Sequence, residues 1–299
     1  MLTKRLVGAL ALAVGVFSFA DGSVAATVNT TSNVVFIVDE SGSMGGEQDF
    51  LANTVIDQLD SGLASAGVTS RSYGVVGYGG PNSGTPRLVQ SGGGLENAAT
   101  TKTNLQSLVT SGGFEDGFAA IDFALNNLNF TAGAAINFIL VTDEDRDVTS
   151  GLGLTVQSIQ NSLTSANILL NAVVNNSFSS DNSQVALGID SDGTAYVADG
   201  GGGFSEDTGG TAGGGFGTTT TDYVNLAIAT GGAAWDLNQL RAGGDPATSF
   251  ASAFIDIKVQ EIISQPPSGP NPIPLPAGMP LLLAGLGVFG FMRRRSSAA

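Results

Sequence analysis

The chain predicts a mixed α/β fold, a mostly parallel central sheet with helices on both faces. Segment 34–38 is a continuous apolar run, and 135–141 and 168–174 are predominantly apolar and rich in branched residues, the pattern of strands covered on both faces. Stretches with helical apolar spacing alternate with these runs, as in crossover-linked parallel strands. The first run ends in Asp39-Glu40-Ser41-Gly42-Ser43. In open α/β sheets ligands sit just beyond the carboxyl ends of the strands, so this turn stands where a ligand is held.

The elements follow in order. Residues 48–66 place Phe50, Leu51, Val55, Ile56, Leu59 and Leu63 at helical spacing. Residues 70–78 alternate as a strand, and 86–90 predict a short edge strand. Helices are expected over 104–109 and 118–128, the latter offering Ile121, Phe123, Ala124 and Leu128 to the core. After the strand at 135–141 come a helix at 156–163, the strand at 168–174, a helix at 223–229, a strand at 233–237 and a closing helix at 249–263. Residues 175–222 interrupt this path. They predict a hairpin over 185–197, turning at Ser191-Asp192-Gly193, then a Gly- and Thr-rich tract over 200–221. Such a tract buries little, and mobility is expected there. A tolerated surface insertion is the favoured reading; a specificity loop or a second Ca²⁺ site is the sharper one.

Both ends of the chain are apolar. Residues 1–26 read as a secretory signal: Lys4 and Arg5, an apolar stretch from Leu6 to Phe19, and Val24-Ala25-Ala26 for cleavage. At the other end Pro266, Pro267, Pro270, Pro272, Pro274 and Pro276 form a stiff spacer, assigned to 265–275. Residues 276–299 then hold an apolar stretch from Met279 to Met292 closed by Arg293-Arg294-Arg295. At about 1.5 Å per residue, a helix over 273–292 could just cross a bilayer core, its basic end inside.

The composition excludes several function classes. Cysteine and histidine are both absent, which removes disulfide stapling, the commonest zinc ligand and the commonest general base. Residues 27–292 carry 6 basic and 25 acidic side chains, a net charge of −19. That surface repels nucleic acid, and it repels anionic polysaccharide unless divalent cations bridge the two. An enzyme would be left with metal-assisted hydrolysis alone; a non-enzymatic role is expected.

Asp39, Ser41 and Ser43 offer hard oxygens suited to Mg²⁺, Mn²⁺ or Ca²⁺. Alone, they fit a plain Ser/Gly turn equally well. In Asp190-Ser191-Asp192-Gly193-Thr194 the spaced glutamate of an EF-hand is missing, and a hairpin turn is the better reading. Gly77-Tyr78-Gly79-Gly80 lacks the Gly-Lys-Ser/Thr of a phosphate loop.

The segment Asp39-Glu40-Ser41-Gly42-Ser43-Met44 after an apolar strand resembles the first motif of the von Willebrand factor type A family, whose metal-ion-dependent adhesion site begins Asp-x-Ser-x-Ser. The resemblance covers residues 32–264 and implies a Rossmann-like type A domain. It implies metal ligation by Asp39, Ser41 and Ser43. The family's second loop usually supplies a threonine. Here Glu115-Asp116-Gly117-Phe118-Ala119-Ala120-Ile121 resembles an acidic variant of that loop, which assigns the ligand role to Glu115, with Asp116 as fallback. Asp143, in Thr142-Asp143-Glu144, matches the aspartate of the third loop, although the family glycine is Glu144. The implied cofactor is a divalent cation, Mg²⁺ or Ca²⁺, and the implied partner an extracellular protein or polysaccharide bridged by it. A structural matrix or envelope role is the alternative. At the tail, Ile273-Pro274-Leu275-Pro276-Ala277, an apolar helix and an arginine cluster resemble the VPLPA-type PEP-CTERM sorting signals. This implies processing by an exosortase and an exported bacterial protein held at a membrane or surface; a plain tail anchor is the alternative.

Overall fold

The computed structural model describes residues 29–81, 84–148 and 151–266. The expected signal segment, most of the proline-rich spacer and the apolar tail lie outside the described residues. Among the described residues, no helix is long and apolar enough to cross a membrane.

The strands are β1 (Thr31–Asp39), β2 (Ser70–Tyr78), β3 (Arg87–Leu88), β4 (Ala135–Thr142), β5 (Ile168–Val174), β6 (Asn176–Ser179), β7 (Val185–Ala186), β8 (Gly188–Asp190), β9 (Ala195–Ala198), β10 (Phe204–Asp207), β11 (Thr211–Gly215) and β12 (Ala233–Asp236). The main sheet runs β10-β9-β8-β12-β5-β4-β1-β2-β3. Its centre, β12-β5-β4-β1-β2, is parallel, and β3 and the β8–β10 wing are antiparallel. A second sheet pairs β11, β6 and β7. The helices are α1 (Gly45–Phe50), α2 (Ile56–Ser65), α3 (Ala98–Gln106), α4 (Gly117–Asn127), α5 (Val156–Ser165), α6 (Asn225–Ala229), α7 (Leu237–Arg241) and α8 (Gly244–Ser264). A π-helical turn, Leu51–Val55, joins α1 to α2, and another, Thr220–Val224, leads into α6.

The apolar run of β1 divides between two cores because successive side chains alternate across a sheet. Val34, Phe36 and Val38 pack with α2 and α8 through Leu59, Leu63, Phe250 and Phe254. Val35 and Ile37 face α4, α5 and α6 through Ile121, Ile159 and Leu226. With both faces covered, all five positions from Val34 to Val38 are apolar and fully buried. The mixed α/β class is therefore the one that the sequence predicts.

Several boundaries differ from expectation. The helix expected at 104–109 lies over Ala98–Gln106, started by Asn97, whose side chain accepts a 3.0 Å bond from the Thr100 amide. Helix α7 was not expected; Asp236 caps it by accepting from the Asn238 amide at 2.9 Å. Helix α8 begins at Gly244, five residues before the expected start. The tract 200–221 contains two strands where mobility was expected. Phe204 of β10 packs edge-on against Tyr196 at 6.0 Å, and β11 pairs with β6 through the ladder that glycine still supplies.

The insertion is consequently part of the core. The hairpin β8–β9 extends the main sheet beyond β12, and Tyr196 stacks on Trp235 with ring centres 5.3 Å apart. The Trp235 indole donates to Asn171 Oδ1 at 3.0 Å and meets Phe250 and Phe254 edge-on. Truncating a buried aromatic costs about 3 kcal/mol or more. Tyr196→Ala is therefore expected to lower the urea midpoint of the whole domain in a single transition. An unchanged midpoint would mark the insertion as an appendage.

Candidate functional site

The site forms where β1 and β4 end and three loops meet. Asp39 closes β1 and is buried. Its Oδ1 accepts from the Ser41 amide at 2.7 Å, which folds the chain back and brings Ser41 Oγ within 3.3 Å of Ser43 Oγ. Its Oδ2 accepts from the Thr142 hydroxyl at 2.8 Å, tying the end of β1 to the end of β4. Ser43 Oγ donates to Asp143 Oδ1 at 3.0 Å. Gln48, one turn into the following helix, donates to the Asp39 carbonyl at 3.0 Å and to the Val109 carbonyl at 2.9 Å.

Glu115 reaches the same place from the second loop. Gly79 has φ +72°, and a Cβ there would stand 2.8 Å from Asp39 Oδ1 and 3.2 Å from Glu115 Cγ. The two acids therefore flank one glycine, and a larger residue would push them apart. Phe114, immediately before Glu115, has φ +83° while its ring is exposed. Such backbone strain in a non-glycine residue concentrates at functional sites. Asp116 is committed elsewhere: it caps α4 through the Ala119 amide and pairs with Arg146 at 2.7 Å. Of the two acids, Glu115 is therefore the one that stands beside Asp39, while Asp116 is held by Arg146 and the α4 amide.

Glu40, between the site residues, braces the loops. Arg87 of β3 holds its carboxylate, donating to Oε2 at 3.0 Å and to Oε1 at 2.5 Å, and the Val109 amide donates to Oε1 at 2.9 Å. Tyr223 does the same for the start of α4, its hydroxyl accepting from the Gly117 amide at 3.2 Å. A Cβ at Gly117 would lie 2.7 Å from that oxygen, so only glycine fits.

The acidic run in the third loop is spread among separate partners. Asp143 takes Ser43 and Arg241, the latter at 2.8 Å. Asp145 accepts from the Thr218 amide at 3.1 Å, so the end of the insertion touches this loop. Arg146 lies 4.2 Å above the Phe118 ring while pairing with Asp116. Asp147 donates its amide to the Glu115 carbonyl at 3.0 Å and accepts from the Glu115 amide at 3.3 Å.

Asp39, Ser41, Ser43, Glu115 and Asp143 are thus gathered on one rim. Thr142, Arg241 and Glu40 belong to the arrangement and were not singled out in the sequence. Thr142 is recoverable from its position at the end of a buried strand, whereas Arg241 carries no local signal. The donors are all hard oxygens, the set that Mg²⁺ or Ca²⁺ takes. Among the described residues, no three His, Cys, Asp or Glu side chains converge as a metal cluster, so an ion here would rely on the serine hydroxyls.

Electrostatics fit a missing positive charge. Burial, reinforced by Asp143, pushes the Asp39 carboxyl up to about 7 from 3.8. Burial and then the Asp39 charge push Glu115 up to about 7 from 4.5. Among the described residues, neither has a Lys or Arg ion partner.

No family model matches the chain, and no curated protein does. Among solved structures, it is similar to a von Willebrand factor type A protein from Catenulispora acidiphila, with 21% identity, 48% of this chain and 33% of that chain covered, and a TM-score of 0.35. An aerotolerance-related membrane protein from Bacteroides fragilis matches with 16% identity over 77% of this chain and 99% of that one, at a TM-score of 0.42. Proximal thread matrix protein 1 from the mussel byssus matches with 13% identity over 49% and 36%, at 0.35. The chain spans about a third of the length of the first and last of these. Overlaps this low decide neither family nor function, and the α/β class rests on strand order.

A carboxyl whose pKa is higher folded than unfolded binds its proton more tightly in the folded state. The stability that Asp39 and Glu115 contribute is therefore greatest below their ordinary values of 3.8 and 4.5, and it is lost as pH rises to about 7. In chelator, the melting temperature is expected to fall across that window, and to fall less in Asp39→Asn. A profile unaffected by the substitution would contradict the assignment.

Proposed function

We propose that the chain is a non-enzymatic, metal-dependent recognition domain, exported and held at a bacterial membrane or surface. It captures an extracellular protein or polysaccharide at the Asp39 rim. The supporting observation is the meeting of Asp39, Ser41, Ser43, Glu115 and Asp143 at one strand end, with two buried carboxylates flanking Gly79 and neither ion-paired to Lys or Arg among the described residues. Asp39, Ser41, Ser43 and Glu115 would hold a Mg²⁺ or Ca²⁺ ion, with Asp143 behind Ser43. The ion would supply the positive charge that the rim lacks and an exchangeable position for a ligand oxygen.

Export is supported by the sequence of residues 1–26, and retention by the proline motif, apolar stretch and arginine cluster, which suit an exosortase or a plain tail anchor. Gln265 donates to the carbonyls of Ile136 and Asn167, at the starts of β4 and β5. Gln265 therefore stands at the end of the sheet opposite Asp39. The absence of His and Cys from the sequence supports a binding role over a catalytic one.

Full chain immobilised in Ca²⁺ or Mg²⁺ is expected to capture envelope or matrix material and to release it in chelator. Asp39→Ala is expected to lose capture by about tenfold or more while keeping its circular dichroism spectrum. Equal capture in chelator refutes metal-dependent binding. A large Ca²⁺-induced thermal shift without any capture would instead favour a matrix component in which the cation only stabilises the fold.

A further inference from the structure

Arg241 lies at the end of α7, outside every motif, and its side chain reaches back to the rim. Its Nε donates to Glu47 Oε1, and its Nη2 donates to Asp143 Oδ2 at 2.8 Å and to the Ser43 carbonyl at 3.3 Å. Among the described residues, it is the only Lys or Arg ion-paired to any of Asp39, Ser41, Ser43, Glu115 and Asp143. Glu47 is buried, and its second oxygen has no hydrogen-bond partner among the described residues, so Arg241 is what neutralises it. A buried carboxylate left without its cation is costly, which holds Arg241 in place from below.

The consequence falls on Asp143. One of its oxygens takes the Ser43 hydroxyl and the other takes Arg241, so both are engaged. A guanidinium fork at this distance repels a second positive charge brought to the same carboxylate. We propose that Arg241 is a tethered counter-charge that, through Asp143 behind Ser43, opposes a divalent cation at the rim. It thereby sets the cation affinity of the rim and links occupancy to the seating of α7. Arg241 acts through Asp143 and is a positioning residue. The proposal rests on the cation reading given above and adds what tunes it.

The test is calorimetric titration of Mn²⁺ into the detergent-solubilised full chain, alongside melting with and without Mn²⁺. Arg241→Gln is expected to bind Mn²⁺ at least about tenfold tighter than wild type and to show a larger Mn²⁺-induced rise in melting temperature. Arg241→Lys keeps the charge but loses the fork, and its affinity is expected between the two. The double variant Glu47→Gln with Arg241→Gln removes the buried acid that Arg241 alone neutralises and must show the same tightening, which separates the effect from misfolding. Mn²⁺ affinity in both glutamine variants no higher than in wild type would reduce Arg241 to a structural brace and overturn the proposal. No Mn²⁺ binding by wild type or any variant overturns the cation reading, and this proposal falls with it. Binding by Arg241→Gln alone supports both.

Discussion

The arrangement depends on one buried carboxylate. Asp39 ends a strand whose five preceding positions, Val34 to Val38, are apolar and fully buried, and it is itself shut away from water. Its charge has to be met by whatever the neighbouring loops supply. The Ser41 amide and the Thr142 hydroxyl meet part of it, and in doing so they turn the first loop and join β1 to β4. A hydrogen bond to a charged group is strong, but it does not replace a counter-ion in a low-dielectric site. Placing Glu115 beside the same acid deepens the deficit.

Much of this was legible in the sequence, because burial on both faces leaves an unmistakable signature. The apolar runs of β1, β4 and β5 identified the parallel centre, and the polar residues at their ends identified the rim. Asp39, Ser41 and Ser43 are neighbours in the chain, so their meeting follows from one turn. Glu115 and Asp143 required the resemblance to a known family, since nothing local says which acidic residue of a run faces inward. Asp116 is drawn away from Asp39 by Arg146 and the α4 cap, and the Arg146 contact is long-range, which no local pattern encodes.

The misplacements have physical causes as well. Helix α3 carries Thr100, Thr101 and Thr103, weak helix formers that blurred its periodicity, so the Asn97 cap was the better signal. The glycine-rich tract lacks side chains to bury, yet it needs only backbone ladders to join β9 and β6. Its order is lent by neighbours such as Tyr196, itself fixed by stacking on Trp235. Through Thr218 the same insertion reaches Asp145, so a segment that reads as surface decoration touches the loop that carries Asp143.

Anomalous scattering from crystals soaked in Mn²⁺ addresses the central claim most directly. The account predicts one strong peak among the side-chain oxygens of Asp39, Ser41, Ser43 and Glu115, absent in Asp39→Asn. No peak there, or a peak confined to the Asp190–Asp192 turn, would contradict it.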